Sequence, residues 1–207
     1  MHDQMSLRGL DAAPTLFQPE ILHGRPGQLL GYNLFLAIFP KPEDAQRFSL
    51  VGAALRTQHG LTGPCLRTDH LHMTLHAVAG YALTIPQQDI DAAKAAAASV
   101  VCRPLPIVFD SASSFINHGK PDNNAFVLQC GQRRRRSQAA AGVESGAATV
   151  GLHPKPTNTP HMTMLYDPRV VPAHPIEPFC WTGTRFALVL SHQGRTHDEW
   201  IAQWQLA

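Results

Sequence analysis

The segment Leu71-His72-Met73-Thr74-Leu75 alternates imidazole, apolar, hydroxyl and apolar side chains, and the pattern recurs as Pro160-His161-Met162-Thr163-Met164. Alternation with a period of two marks a strand with one polar face. On such strands His72 and Thr74 point the same way, as do His161 and Thr163. Two imidazoles and two hydroxyls carried on two strands can hold a phosphate between a general acid and a general base. Displacement at phosphorus asks a protein to take a proton from the nucleophile, return one to the leaving oxygen and hold the equatorial oxygens. Histidine suits the first two tasks, because a reference pKa of about 6.5 lets one ring be neutral while the other is protonated. A threonine two residues along the strand can donate its hydroxyl to a phosphate oxygen. This chemistry requires neither a metal nor a cofactor.

The surrounding elements must bring the two segments together. Residues 1–27, with Pro14, Pro19, Gly24, Pro26 and Gly27 among scattered apolar positions, read as an irregular N-terminal arm, and 28–207 as a single domain. The β-rich run Leu29 to Phe39, stopped by Pro40 and Pro42, is a core strand. Pro42-Glu43-Asp44 then opens a helix whose apolar face is Ala45, Phe48, Val51/Gly52 and Leu55, ending at His59-Gly60. Gly63-Pro64 turns the chain into the first motif strand, Leu66 to His76. The pattern further predicts a helix over Pro86 to Val101, strands over Pro104 to Phe115 and Ala125 to Cys130, and a helix from Gln132 to about Ala148. After the second motif come a Pro-rich loop with Pro172, Pro175 and Pro178, a strand over Trp181 to Ser191 and an antiparallel edge strand over Trp200 to Leu206. The order is α+β. Two similar antiparallel halves facing each other across a central cleft, with helices outside, are its simplest arrangement.

Composition narrows the class. The chain has 207 residues, 44% of them apolar, enough to fill an ordinary core. A formal net charge of +2 gives no global field for bulk nucleic-acid binding. The one basic run, Arg133 to Arg136, reads either as a track for RNA phosphates or as a solvated first helical turn. Cys65, Cys102, Cys130 and Cys180 show no Cys-x-x-Cys spacing and read as buried, reduced thiols. With neither a secretory leader nor a membrane-length apolar run in the sequence, a soluble cytoplasmic protein is expected.

The opening strand ending in Pro40, the two His-Met-Thr segments, and the closing series Ser191, Gly194 and Trp204-Gln205-Leu206 together resemble the two-histidine phosphoesterases, in the branch of 2′-5′ RNA ligases and RNA 2′,3′-cyclic phosphodiesterases. The resemblance runs from Leu29 to Leu206. It implies a bilobal α+β fold of two antiparallel-sheet lobes around a cleft, with His72 and His161 catalytic and Thr74 and Thr163 phosphate-binding. It also implies a metal-independent hydrolase, working as a monomer away from membranes, whose substrate is an RNA end or a nucleotide bearing a 2′,3′-cyclic phosphate. The same pair of imidazoles would serve 2′-5′ ligation in reverse. On position, Lys155, Tyr166, Arg169 and Tyr32 are candidate substrate contacts, whereas Phe115 reads as core. The residues leave open which imidazole is acid and which base. Two other readings stand beside this one: a binding module that grips a phosphorylated end without turnover, and a metal site built from His70, His72 and His76.

Overall fold

The computed structural model describes residues 31–130 and 160–207, apart from 82, 193, 194 and 196. The N-terminal arm, the helix expected from Gln132 to Ala148 with its Arg133 to Arg136 run, and Lys155 lie outside the described residues. Eight strands form one antiparallel sheet: β1 (Tyr32–Ile38), β2 (Met73–Tyr81), β3 (Leu105–Phe115), β4 (Asn124–Cys130), β5 (His161–Asp167), β6 (His174–Gly183), β7 (Arg185–His192) and β8 (His197–Gln205). Two helices, α1 (Pro42–Gln58) and α2 (Gln87–Ala98), and a 3-10 turn at Thr68–His70 complete the described elements.

The strand order is β6-β3-β4-β5-β2-β1-β7-β8. Its two halves, β6-β3-β4-β5 and β2-β1-β7-β8, are the two lobes, and they meet in a ladder of one residue pair, Met73 opposite Met162. The two antiparallel-sheet lobes are therefore joined into one continuous sheet with a narrow junction. Both His-x-Thr segments lie at that junction.

Alternation along β1 sorts its side chains onto two faces. Leu34, Leu36 and Ile38 enter the main core, whereas Phe35, Ala37 and Phe39 join Ala187 and Val189 of β7 in a smaller apolar cluster on the other face. The helices cover the first face. Phe48 of α1 is fully buried, with its ring 4.5 Å from Phe179, 5.6 Å from Phe109 and 5.6 Å from Trp181, so α1 packs on β3 and β6 of the far lobe. Replacing an aromatic ring so enclosed by Ala costs about 3–5 kcal/mol. Helix α2 packs against β7 and β8. Helix α1 thus covers the lobe opposite its own strand β1, and α2 covers the lobe of β2, the strand it follows; both pack on the main core.

Local expectations meet the structure unevenly. Helix α1 begins at Pro42 and ends beside His59, as its N-terminal proline and apolar spacing predict. The first motif strand is shorter than expected: Thr68–His70 is a 3-10 turn and β2 starts at Met73, so His70 does not share a strand face with His72. The Pro-rich stretch expected as a loop contributes β6 from His174 onward. Pro175 and Pro178 are tolerated there because β6 is the sheet's edge strand, where a missing N–H need not break a ladder. The thiols are free, but none is fully buried and Cys180 is exposed.

Candidate active site

The register at the junction decides the geometry. With Met73 opposite Met162, extending the antiparallel pairing by one residue each way sets Thr163 across from His72 and Thr74 across from His161. Met73 and Met162 are buried, and His72, Thr74, His161 and Thr163 point to the opposite face, each partly accessible. Directly opposed residues in such a ladder have Cα atoms about 4.5–5.5 Å apart, and the diagonal pair His72 and His161 on the order of 7–8 Å.

His72 is held in one tautomer. Its Nδ1–H donates to the His70 carbonyl at 2.8 Å, and because a carbonyl only accepts, the proton belongs on Nδ1 and the lone pair on Nε2. Its ring stacks on Phe35 at 5.2 Å and lies 5.5 Å from Phe39. Burial among these groups lowers its pKa below the usual histidine value. The His70 hydrogen bond and the Asp198 carboxylate partly oppose that shift, while the charge of His161 and that of His70 add to it. The His161 effect shows that the two rings share one field. His161 has its own aromatic wall, Phe115, edge-on at 4.8 Å. Across β4, Gln129 pairs with His161, and its Oε1 accepts from the buried Ser113 hydroxyl at 2.9 Å.

A second layer fixes His70. Its Nδ1 lies 3.1 Å from Asp198 Oδ2, on β8 at the opposite edge of the lobe. Asp198 thereby anchors the residue whose carbonyl orients His72. Burial and the same carboxylate raise the pKa of the Tyr166 phenol, at the end of β5.

The remaining sequence candidates are dispersed. Tyr166 is 43% exposed on the same strand as His161. Tyr32 packs edge-on against His192 at 5.1 Å, at the far end of β1. Arg169 donates from Nη1 to the His59 carbonyl at 2.9 Å, beyond the end of β5 and away from the four motif side chains. Among the described residues no group of three or more His, Cys, Asp or Glu side chains is arranged to hold a metal, and no helix is long and apolar enough to cross a membrane. Sequence reasoning missed Phe35, Phe39 and Asp198, and placed Phe115 in the core. Only the alternation of β1, with Phe35 and Phe39 on the same side, carried a signal for any of them.

No family model matches the sequence, and no curated protein does. Solved structures do. E. coli LigT without ligand aligns over 86% of this chain and 99% of its own, at 20% identity and a TM-score of 0.57. A structure described as a phosphoesterase aligns over 84% and 98%, at 20% identity and a TM-score of 0.57. A Thermus thermophilus protein aligns over 84% and 97%, at 18% identity and a TM-score of 0.58. The fold is shared with LigT and with that phosphoesterase. LigT has also been solved with NADP+, 3′-AMP, ATP and phosphate.

Proposed function

We propose that this chain is a metal-independent phosphodiesterase that opens 2′,3′-cyclic phosphates at RNA ends or on nucleotides, with reversible 2′-5′ ligation when a ribose 5′-hydroxyl attacks in place of water. The register that gathers His72, Thr74, His161 and Thr163 on one open face carries the proposal. Ligand-bound LigT structures support it, since a protein of this fold accommodates both phosphate and nucleotides.

The two rings divide the work by their protonation. His72 is neutral by burial and presents the Nε2 lone pair, so it takes the proton from the attacking water. Water attacks phosphorus in line, the bond to one ribose oxygen breaks, and protonated His161 gives its proton to that oxygen. Thr74 and Thr163 donate their hydroxyls to the non-bridging oxygens, whose negative charge the site must hold through the transition state. Each turnover consumes one water and leaves a ring-opened phosphomonoester. The free thiols at Cys65, Cys102, Cys130 and Cys180 fit a reducing cytoplasmic compartment.

The test is hydrolysis of 2′,3′-cyclic AMP by the wild type and by His72→Ala and His161→Ala. Each substitution is expected to lower kcat by roughly 10²–10⁴-fold, and EDTA to leave the wild-type rate unchanged. Wild-type turnover in either variant overturns the mechanism.

A further inference from the structure

A cavity of about 430 Å³ opens beside the candidate active site but apart from the reacting groups. None of His72, Thr74, His161 or Thr163 lines it. Its walls come from Phe39, from the 67–71 segment that precedes β2, and from Arg185, Asp198 and Trp200 at the β7-β8 edge. Phe39 is the partition: its ring is 5.5 Å from His72 on one side and 4.4 Å from Trp200 on the other. The cavity therefore begins one aromatic ring away from the base.

Its charges are asymmetric. The two carboxylates in its walls are already paired, Asp69 with Arg67 at 3.1 and 2.5 Å and Asp198 with His70 at 3.1 Å. Arg185 is different. Its guanidinium lies over the Trp200 ring at 5.4 Å, its Nε is buried with no hydrogen-bond acceptor, and among the described residues it forms no ion pair. Burying that donor without a partner is costly, and the half-buried side chain is left without a counter-charge among the described residues. Trp200 keeps 40% of its surface exposed. A flat aromatic ring beside an unneutralised planar cation matches a nucleotide, base on the indole and phosphate on the guanidinium.

We propose that this cavity is a subsite for the penultimate nucleotide, the one that precedes the residue bearing the reacting cyclic phosphate, with Arg185 taking the phosphate that joins the two and Trp200 stacking the penultimate base. The chain is then selective for oligonucleotide ends over cyclic mononucleotides, which lack that second nucleotide. This deepens the proposed function and rests on it for the position of the reacting phosphate.

Two measurements test the subsite. In the first, kcat/KM is compared for 2′,3′-cyclic AMP and for the dinucleotide ApA ending in a 2′,3′-cyclic phosphate. The wild type is expected to favour the dinucleotide by about tenfold or more, and Arg185→Gln and Trp200→Ala to bring that ratio toward one, with Arg185→Lys intermediate. Equal values in the wild type, or a ratio unmoved in both variants, overturn the subsite. The second measurement does not depend on turnover: calorimetric titration of 3′-AMP and of ApA bearing a 3′-phosphate. Tighter dinucleotide binding that Arg185→Gln removes, in a protein that hydrolyses neither cyclic substrate, keeps the subsite and rejects the phosphodiesterase reading. Equal binding of the two ligands rejects the subsite whatever the activity.

Discussion

His72 has a single ring atom free to meet a substrate, because its Nδ1–H is committed to the His70 carbonyl at 2.8 Å. Its lowered pKa has a direct kinetic sign. A general base works only when neutral, so activity falls as pH drops through the base's pKa, and burial has moved that pKa below about 6.5. The acid limb of kcat/KM against pH is therefore expected below that of an ordinary histidine, and a limb at or above it would contradict the assignment of His72 as base. Asp198 offers a finer test at the same scale. Its carboxylate favours protonated His72 and anchors His70. Asp198→Asn should shift the acid limb further down in pH, with a smaller loss of rate than His72→Ala. A role confined to folding would lower activity at every pH and leave the limb in place.

Beyond single residues, a clasp at the end of β5 reinforces its pairing with β4. Asp167 is buried and accepts from the Thr62 and Gly63 backbone N–H groups at 2.6 and 2.7 Å, from the Arg169 N–H at 2.8 Å and from the Thr62 hydroxyl at 3.2 Å. Burial alone would raise its pKa, but these donors outweigh burial and lower it. The stability it contributes is present above the unfolded carboxylate value of about 3.9 and lost as pH falls through the lower folded value. Gly63 is required by space, since a Cβ there would come within 1.9 Å of the Tyr166 carbonyl oxygen. Asp167→Ala strands several donors and should cost about 2–4 kcal/mol in urea unfolding. Gly63→Ala should cost about 1–3 kcal/mol. Because the clasp holds the strand that carries His161, both variants should also lose activity, in proportion to their loss of folded protein or more.

At the scale of the whole molecule, three histidines share one direction of shift. Burial lowers the pKa of His72 and His76, and burial together with the facing His174, whose Nε2 is 3.1 Å from Nε2 of His59, lowers that of His59. A depressed folded pKa contributes stability that is complete above the unfolded value of about 6.5 and lost as pH falls through the folded values. The urea midpoint should therefore drop between pH 7.5 and pH 5, and an unchanged midpoint would show that these rings are solvated. The same scale explains the sheet: two lobes joined through one residue pair leave the central strands paired on their outer sides and the reacting groups together at the junction.

Several features were legible in the chain itself. The period-two alternation of both His-Met-Thr segments, the proline-opened helix α1 and the strands around them follow from local pattern, as does the chemistry that two imidazoles and two hydroxyls can perform. Local pattern misjudged the 172–178 stretch, because whether proline breaks a strand depends on its place in the sheet, and the edge position of β6 is set by pairing with β3. It also gave no sign of Asp198, Arg185 or Trp200, which reach His72 and Phe39 only because β7 and β8 pair beside β1. The sequence alone determined which residue types could act on a phosphate. The tertiary structure decided that they meet on one face, since the pairing of Met73 with Met162 joins strands far apart in the chain, and a slip of one residue in that register would turn one motif into the core.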